Sequence, residues 1–157
     1  MSEALQEAFD TLTATVGQSS APTEWFEVSQ ERINDFADVT MDHQWIHIDR
    51  ERAKQGPFGT TIAHGHLTLS IMGHLPRLVA ETSPRIRGHR MSINYGFDRV
   101  RFPAPVPVGS KIRAKSTLKR VEIKGGMIET MNEVVVEVQG QAKPCCVAES
   151  LTRLVVD

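Results

Sequence analysis

His64-Gly65-His66-Leu67-Thr68-Leu69-Ser70-Ile71-Met72-Gly73-His74-Leu75-Pro76-Arg77-Leu78-Val79-Ala80 is apolar on nearly every face of a helix. Leu67, Leu69, Ile71, Met72, Leu75, Leu78 and Val79 do not fall on one stripe at helical spacing, and a helix without a polar face belongs inside a domain. The expected helix covers about residues 66–80, with Pro76 kinking or shortening it. Downstream the period changes from helical to alternating. Residues 91–102 form a long strand with Gly96 as a bulge or point of close approach. In 111–121, Ile112, Ala114, Ser116 and Leu118 face one way and Lys111, Arg113, Lys115 and Lys119 the other. In 127–138, Ile128, Val134, Val136 and Val138 oppose Glu129, Glu133 and Glu137. Half-buried, half-wet alternation is the mark of antiparallel sheet. Lys124-Gly125-Gly126 supplies a tight hairpin connection, and residues 144–156 a last strand. The expected fold class is α+β: an antiparallel sheet of about five strands wrapped around one buried α-helix.

Upstream, Leu5, Phe9 and Leu12 recur at spacings of three and four, so an amphipathic helix opens the chain and ends in 16–22. Residues 24–28 are a short strand candidate. Ser29 then caps a second helix that buries Ile33, Phe36 and Ala37. Asp49 caps a short turn of helix over 50–54, and the glycine-proline loop 55–59 breaks it. The 157 residues suit a single domain, 1–157, in which 1–20 are an N-terminal helix and linker and 24–156 the core. Basic residues number 18 against 19 acidic, so no strong field draws the chain to nucleic acid. Acids at Glu3 and Glu7 replace the basic start of a secretory signal, and no apolar run approaches the ~20 residues that span a bilayer. The expectation is a cytoplasmic protein with no membrane partner. Cys145 and Cys146 are the only cysteines and are adjacent, which suits reduced packing residues better than a disulfide or a zinc site.

The chemistry concentrates just before the buried helix, in Phe36-Ala37-Asp38-Val39-Thr40-Met41-Asp42-His43-Gln44-Trp45-Ile46-His47-Ile48-Asp49. Asp42 and His47 are five apart, which on a regular helix puts them on different faces. If they act together, the segment is an irregular loop or a broken helix, the kind of element on which catalytic groups sit. Trp45, Ile46 and Ile48 provide apolar walls, and a carboxylate with an imidazole in a dry pocket is the ordinary means of acid–base catalysis near neutral pH. His64 and Gly65 open the buried helix, whose first N–H groups lack partners and carry the positive end of the dipole. A carbonyl oxygen gathering negative charge is stabilised there. Ser70 either faces that pocket or packs in the helix. His43 with His47, and His64 with His66, have spacings that raise a metal. No glutamate of the hydrolase pattern and no cysteine stands beside them, so none is expected.

Three motifs in order resemble the MaoC-like, (R)-specific enoyl-CoA hydratases of the hot dog fold. They are Asp42-x-x-x-x-His47; His64-Gly65-x-Leu67 with Ser70; and Asn94-Tyr95-Gly96 leading to Arg101-Phe102-Pro103-Ala104-Pro105-Val106 and Gly109. The likeness spans about residues 24–156. Where the common form has asparagine and proline after the aspartate, this chain has Gln44 and Trp45, which is similar to the branch named after a nodulation protein. The resemblance implies a sheet wrapped round a central helix, and an Asp42/His47 dyad that adds water to a trans-2-enoyl thioester. It further implies a substrate-binding set of Gly65, Ser70, His64 and Gln44, with the Gly65 amide or its neighbour at the thioester carbonyl. No cofactor is implied, because the acyl-CoA thioester acidifies its own α position; the implied partners are that substrate and a second copy of the chain in a homodimer. The rivals are a hot dog thioesterase and a non-catalytic acyl-thioester-binding subunit.

Overall fold

A computed structural model describes residues 2–75 and 84–157. The first helix, α1 (Glu3–Thr13), starts where the Ser2 hydroxyl accepts from the Leu5 N–H at 3.1 Å, and it buries Leu5, Ala8 and Leu12. Strand β1 is only Phe26–Glu27, shorter than the 24–28 run suggests, and pairs antiparallel with Ile112 and Lys111. Ser29 caps α2 (Gln30–Thr40), which buries Ile33 and Ala37. The chain then makes one turn of helix, α3 (Trp45–Ile48), and a second short helix, α4 (Arg50–Lys54), capped by the Asp49 carboxylate. Helix α5 is Gly65–Met72.

That helix is shorter than expected. Gly73 takes the C-cap position, and the His74 N–H turns back to the Ile71 carbonyl at 2.7 Å. Glycine is a poor helix former, and Gly73 stands where the helix ends. The expected remainder over 76–80, including the kink at Pro76, lies outside the described residues.

Four long strands follow: β2 (His89–Arg101), β3 (Lys111–Lys124), β4 (Met127–Val138) and β5 (Cys146–Val156). With β1 they form one antiparallel five-stranded sheet in the order β1-β3-β4-β5-β2. The β3–β4 hairpin closes through Gly125 and Gly126, at φ +58° and +77°, left-handed values that only glycine adopts freely at two successive positions. The β2–β5 register slips between Asn94 and Gly96, which places the expected bulge there. The inner face of the sheet carries Ile112, Ala114, Val134, Val136, Val138 and Ala148, and against it pack Leu67, Ile71, Met72 and Leu75 of the α5 region. At the far end α1 lays Leu5, Ala8 and Leu12 against Ile128. Cys145 and Cys146 are free thiols inside the main core, pushed up by burial to about 12 and about 11.

Alternation fails at Glu129, which is not on a wet face: it is 3% exposed. Lys124 Nζ lies 2.7 Å and Arg153 Nε 3.1 Å from its carboxylate oxygens, with Arg120 Nη2 at 3.9 Å. Arg120 and Lys124 reach this carboxylate from β3 and Arg153 from β5, and the long stems of such cations cover surface beside the charge they pair with. The hydrogen bond from Lys124, aided by that from Arg153, holds the Glu129 carboxyl below its ordinary value of 4.5. A depressed folded value contributes stability that is complete above the ordinary value and is lost as pH falls through the folded one. The parent's melting temperature is therefore expected to drop more steeply below about pH 4.5 than that of Glu129→Gln, which starts several degrees lower at neutral pH. Parallel melting curves against pH would show that this carboxylate is not linked to folding.

Candidate active site

Asp42 follows directly on α2, whose last turn is closed by Met41 at φ +61°, ψ 18°. A non-glycine residue in this left-handed region costs of order 1–3 kcal/mol, and here it turns the chain sharply out of the helix one residue before the carboxylate. Residues 42–44 are irregular and α3 follows, so Asp42 and His47 sit on a loop and a single helical turn, the arrangement expected if the two act together.

His47 is held from several sides. Its own N–H donates to the Gln44 carbonyl at 3.0 Å, and its carbonyl accepts from Gln30 Nε2 at 2.8 Å. Gln30 in turn accepts from the buried Thr61 hydroxyl, so α2, α3 and the strand-like segment before α5 are tied together. That segment is pinned from below, where the Ala63 N–H donates to Val106 and the Val108 N–H to Thr61, at 2.8 and 2.9 Å. Trp45 lies against Gly56, where a Cβ would come within 2.9 Å of the indole ring, and the Arg52 guanidinium sits 4.5 Å from its centroid.

The imidazole of His47 is buried, and its Nδ1 lies 2.7 Å from the Ile62 carbonyl. A carbonyl only accepts, so Nδ1 carries the hydrogen and Nε2 presents a lone pair. Desolvation by burial lowers the His47 pKa from 6.5; the Ile62 bond opposes this, the nearby His64 adds to the lowering, and Asp42 opposes it. The ring is therefore a neutral base at neutral pH.

The structure also gathers His64. One ligating atom each from Asp42, His47 and His64 lie within 4.8 Å of one another. The two imidazoles stack, with centroids 3.7 Å apart and planes inclined by 24°. His64 is 3% exposed, and its Nε2 lies 2.9 Å from the backbone carbonyl of Asp42. The residue types suit zinc, but an ion about 2 Å from a histidine nitrogen lies close to that ring's plane. Two nearly parallel stacked planes do not share such a point, so this arrangement is not a formed metal cage.

Gly65 is the first residue of α5, and a Cβ there would come within 2.9 Å of the Phe102 ring. The helix start is thus walled by Phe102 on one side. Of the remaining candidates, Gln44 is exposed at the N-cap of α3, with its N–H 3.5 Å from an Asp42 carboxylate oxygen. Ser70 is exposed, and its hydroxyl donates to the His66 carbonyl at 2.8 Å, so it is engaged within its own helix. Sequence reasoning assigned no role at the site to Gln30, Thr61 or Phe102. A polar residue one position after the Ser29 cap on a helix's buried side was the only available signal for Gln30.

Residues 11–140 match the family model described as MaoC like domain. The 3-hydroxyacyl-thioester dehydratase Z of Mycobacterium tuberculosis (strain ATCC 25618 / H37Rv) is 52% identical over 145 residues, 92% of this chain and 93% of that protein. Nodulation protein N of Rhizobium leguminosarum bv. viciae is 42% identical over 144 residues, 90% and 88% of the two chains. Among solved structures, the monoamine oxidase regulatory protein from Archaeoglobus fulgius superposes with a TM-score of 0.74 at 24% identity, covering 90% of each chain. The (R)-hydratase from A. caviae involved in PHA biosynthesis gives 0.68 at 22% identity, covering 89% of this chain and 96% of that one. The curled five-stranded sheet around α5 is the hot dog fold of these neighbours.

Proposed function

The chain belongs to the MaoC-like domain family, and from that premise we propose that it catalyses the reversible hydration of a trans-2-enoyl-CoA to the (3R)-3-hydroxyacyl-CoA. The observation that carries this reading is the convergence of the Asp42 carboxylate with a buried His47 whose Nε2 lone pair is free, beside the N-terminus of α5. The name of the Mycobacterium relative supports the same chemistry on a 3-hydroxyacyl thioester, seen from the dehydration side.

Asp42 and His47 hold one water. As its oxygen bonds to the β carbon, His47 Nε2 takes a proton and the π pair of the double bond moves to the thioester as an enolate. The Gly65 N–H, or that of the next residue, stabilises the enolate oxygen at the positive end of the helix. The α carbon then collects the proton held by the dyad, so H and OH have been added and no electrons are gained or lost. The chemistry needs no redox group, and no metal is assigned to it. Mixing the protein with crotonyl-CoA and following the enoyl absorbance tests the reading. Absorbance loss with a hydroxyacyl product supports it; free thiol would mean a thioesterase, and neither change would mean a binding role.

The partner is a second copy. Strand β2 is at the edge of the sheet and exposes Met91, Ile93, Tyr95 and Phe97, which by alternation share one face until the bulge at Gly96. An apolar exposed edge strand is a pairing site. Light scattering at micromolar concentration is expected to give twice the 17.5 kDa chain mass, and a monomer mass would remove the dimer.

A further inference from the structure

We infer that His64 is the positioning residue of the site: it fixes both members of the Asp42/His47 pair at once. This rests on the hydratase reading of that pair. The geometry is specific. His64 donates Nε2–H to the Asp42 carbonyl at 2.9 Å, which fixes the loop that carries the carboxylate. Its ring stacks on His47 at 3.7 Å on one side, and Phe36 approaches at 5.1 Å, tilted by 55°. Helix α2, the loop after it, α3 and the start of α5 therefore meet on this one imidazole.

The second nitrogen shows how the ring is held. His64 Nδ1 is buried and has no hydrogen-bond partner among the described residues, so the ring is fixed through its Nε2–H and its flat faces, by the Asp42 loop and the His47 ring on which it stacks. The ionisable groups facing His47 are His64 and Asp42. His64 thus ties the loop that carries the carboxylate to the face of its neighbour's ring.

Two variants separate the contributions. His64→Phe keeps a flat ring for the stack and loses the donor to Asp42; His64→Asn keeps a donor and loses the stack. His64→Phe is expected to lower kcat with crotonyl-CoA by ~10–10²-fold with KM within about threefold, since a small misplacement of the carboxylate suffices. In His64→Asn, water reaches the exposed face of His47, and the acid limb of kcat/KM moves to higher pH. Nitrogen-15 spectra of the unmutated protein supply a readout that needs no activity. At mildly alkaline pH His64 is expected in the Nε2–H tautomer that donates to the Asp42 carbonyl. A His64 found in the Nδ1–H tautomer overturns the inference even if both variants unfold. Folded variants with parental kcat and an unmoved acid limb also overturn it. If instead Asp42→Asn and His47→Gln remain active, the hydratase reading itself fails, and the spectra still report on the His64 tautomer.

Discussion

Asp42→Asn and His47→Gln are each expected to cut turnover of crotonyl-CoA by at least ~10²-fold with the fold intact, the loss that follows removal of a proton-transferring group. Each substitution keeps size and hydrogen bonding and removes only the group that titrates. Asp42 is exposed, so amide for carboxylate disturbs no packing there. In His47→Gln the side-chain amide still offers a donor for the Ile62 carbonyl, which accepts at 2.7 Å in the parent. Both groups would act on one water, so Asp42→Asn/His47→Gln is expected to be little worse than the worse single variant. Multiplying losses would mean independent action, and near-parental turnover in either single variant would remove the dyad. Burial lowers the His47 pKa below 6.5, so the base stays available in mildly acidic solution. The acid limb of kcat/KM is expected below that ordinary value, and a limb above it would contradict the buried neutral imidazole.

Gly65→Val is the second large effect. At the start of α5 a Cβ meets Phe102 Cδ2 at 2.9 Å and Cγ at 3.0 Å. Phe102 is 41% exposed and has room to turn outward, so the variant is expected to fold with the ring displaced. The branched side chain would then occupy the space through which a thioester oxygen reaches the helix N–H groups, and turnover falls by ~10²–10³-fold, the scale of losing an oxyanion donor. Pairing it with Phe102→Ala separates two causes. If relief of the aromatic contact restores turnover, the damage was steric and the oxyanion role has no support; continued loss at parental melting temperature keeps it. A variant that melts far below the parent and is inactive for that reason leaves the oxyanion role without support as well.

Local rules carried much of the fold. Ser29 and Asp49 cap helices because a short polar side chain can reach an N–H two or three residues on, a signal readable at each position alone. The glycine pair at 125–126 and the bulge by Gly96 rest on backbone freedom and were legible for the same reason. The misses involve partners distant in sequence. Thr61 meets Gln30 from 31 residues away, and Glu129 is covered by Arg153 from the next strand, 24 residues on. No periodicity encodes either meeting. In the candidate site, the five-residue spacing put Asp42 and His47 on a loop or broken helix if they were to act together, and the chain is irregular there. The stacking of His64 on His47 came only with the fold, since it needs two loops to pass at ring-contact distance.

The adjacent core thiols make the chain its own stopwatch. With values near 12 and 11, Cys145 and Cys146 hold almost no thiolate in the folded chain and offer no path to reagent. In an unfolded chain a cysteine ionises near pH 8.5 and reacts readily. An alkylating reagent at mildly alkaline pH therefore marks only molecules that have opened around the start of β5, and at low reagent the rate of marking follows the open fraction. Both sites sit in the core that α5 shares with the sheet. A thioester that binds along that helix would slow the clock in proportion to its occupancy, giving affinity from mass shifts without any turnover.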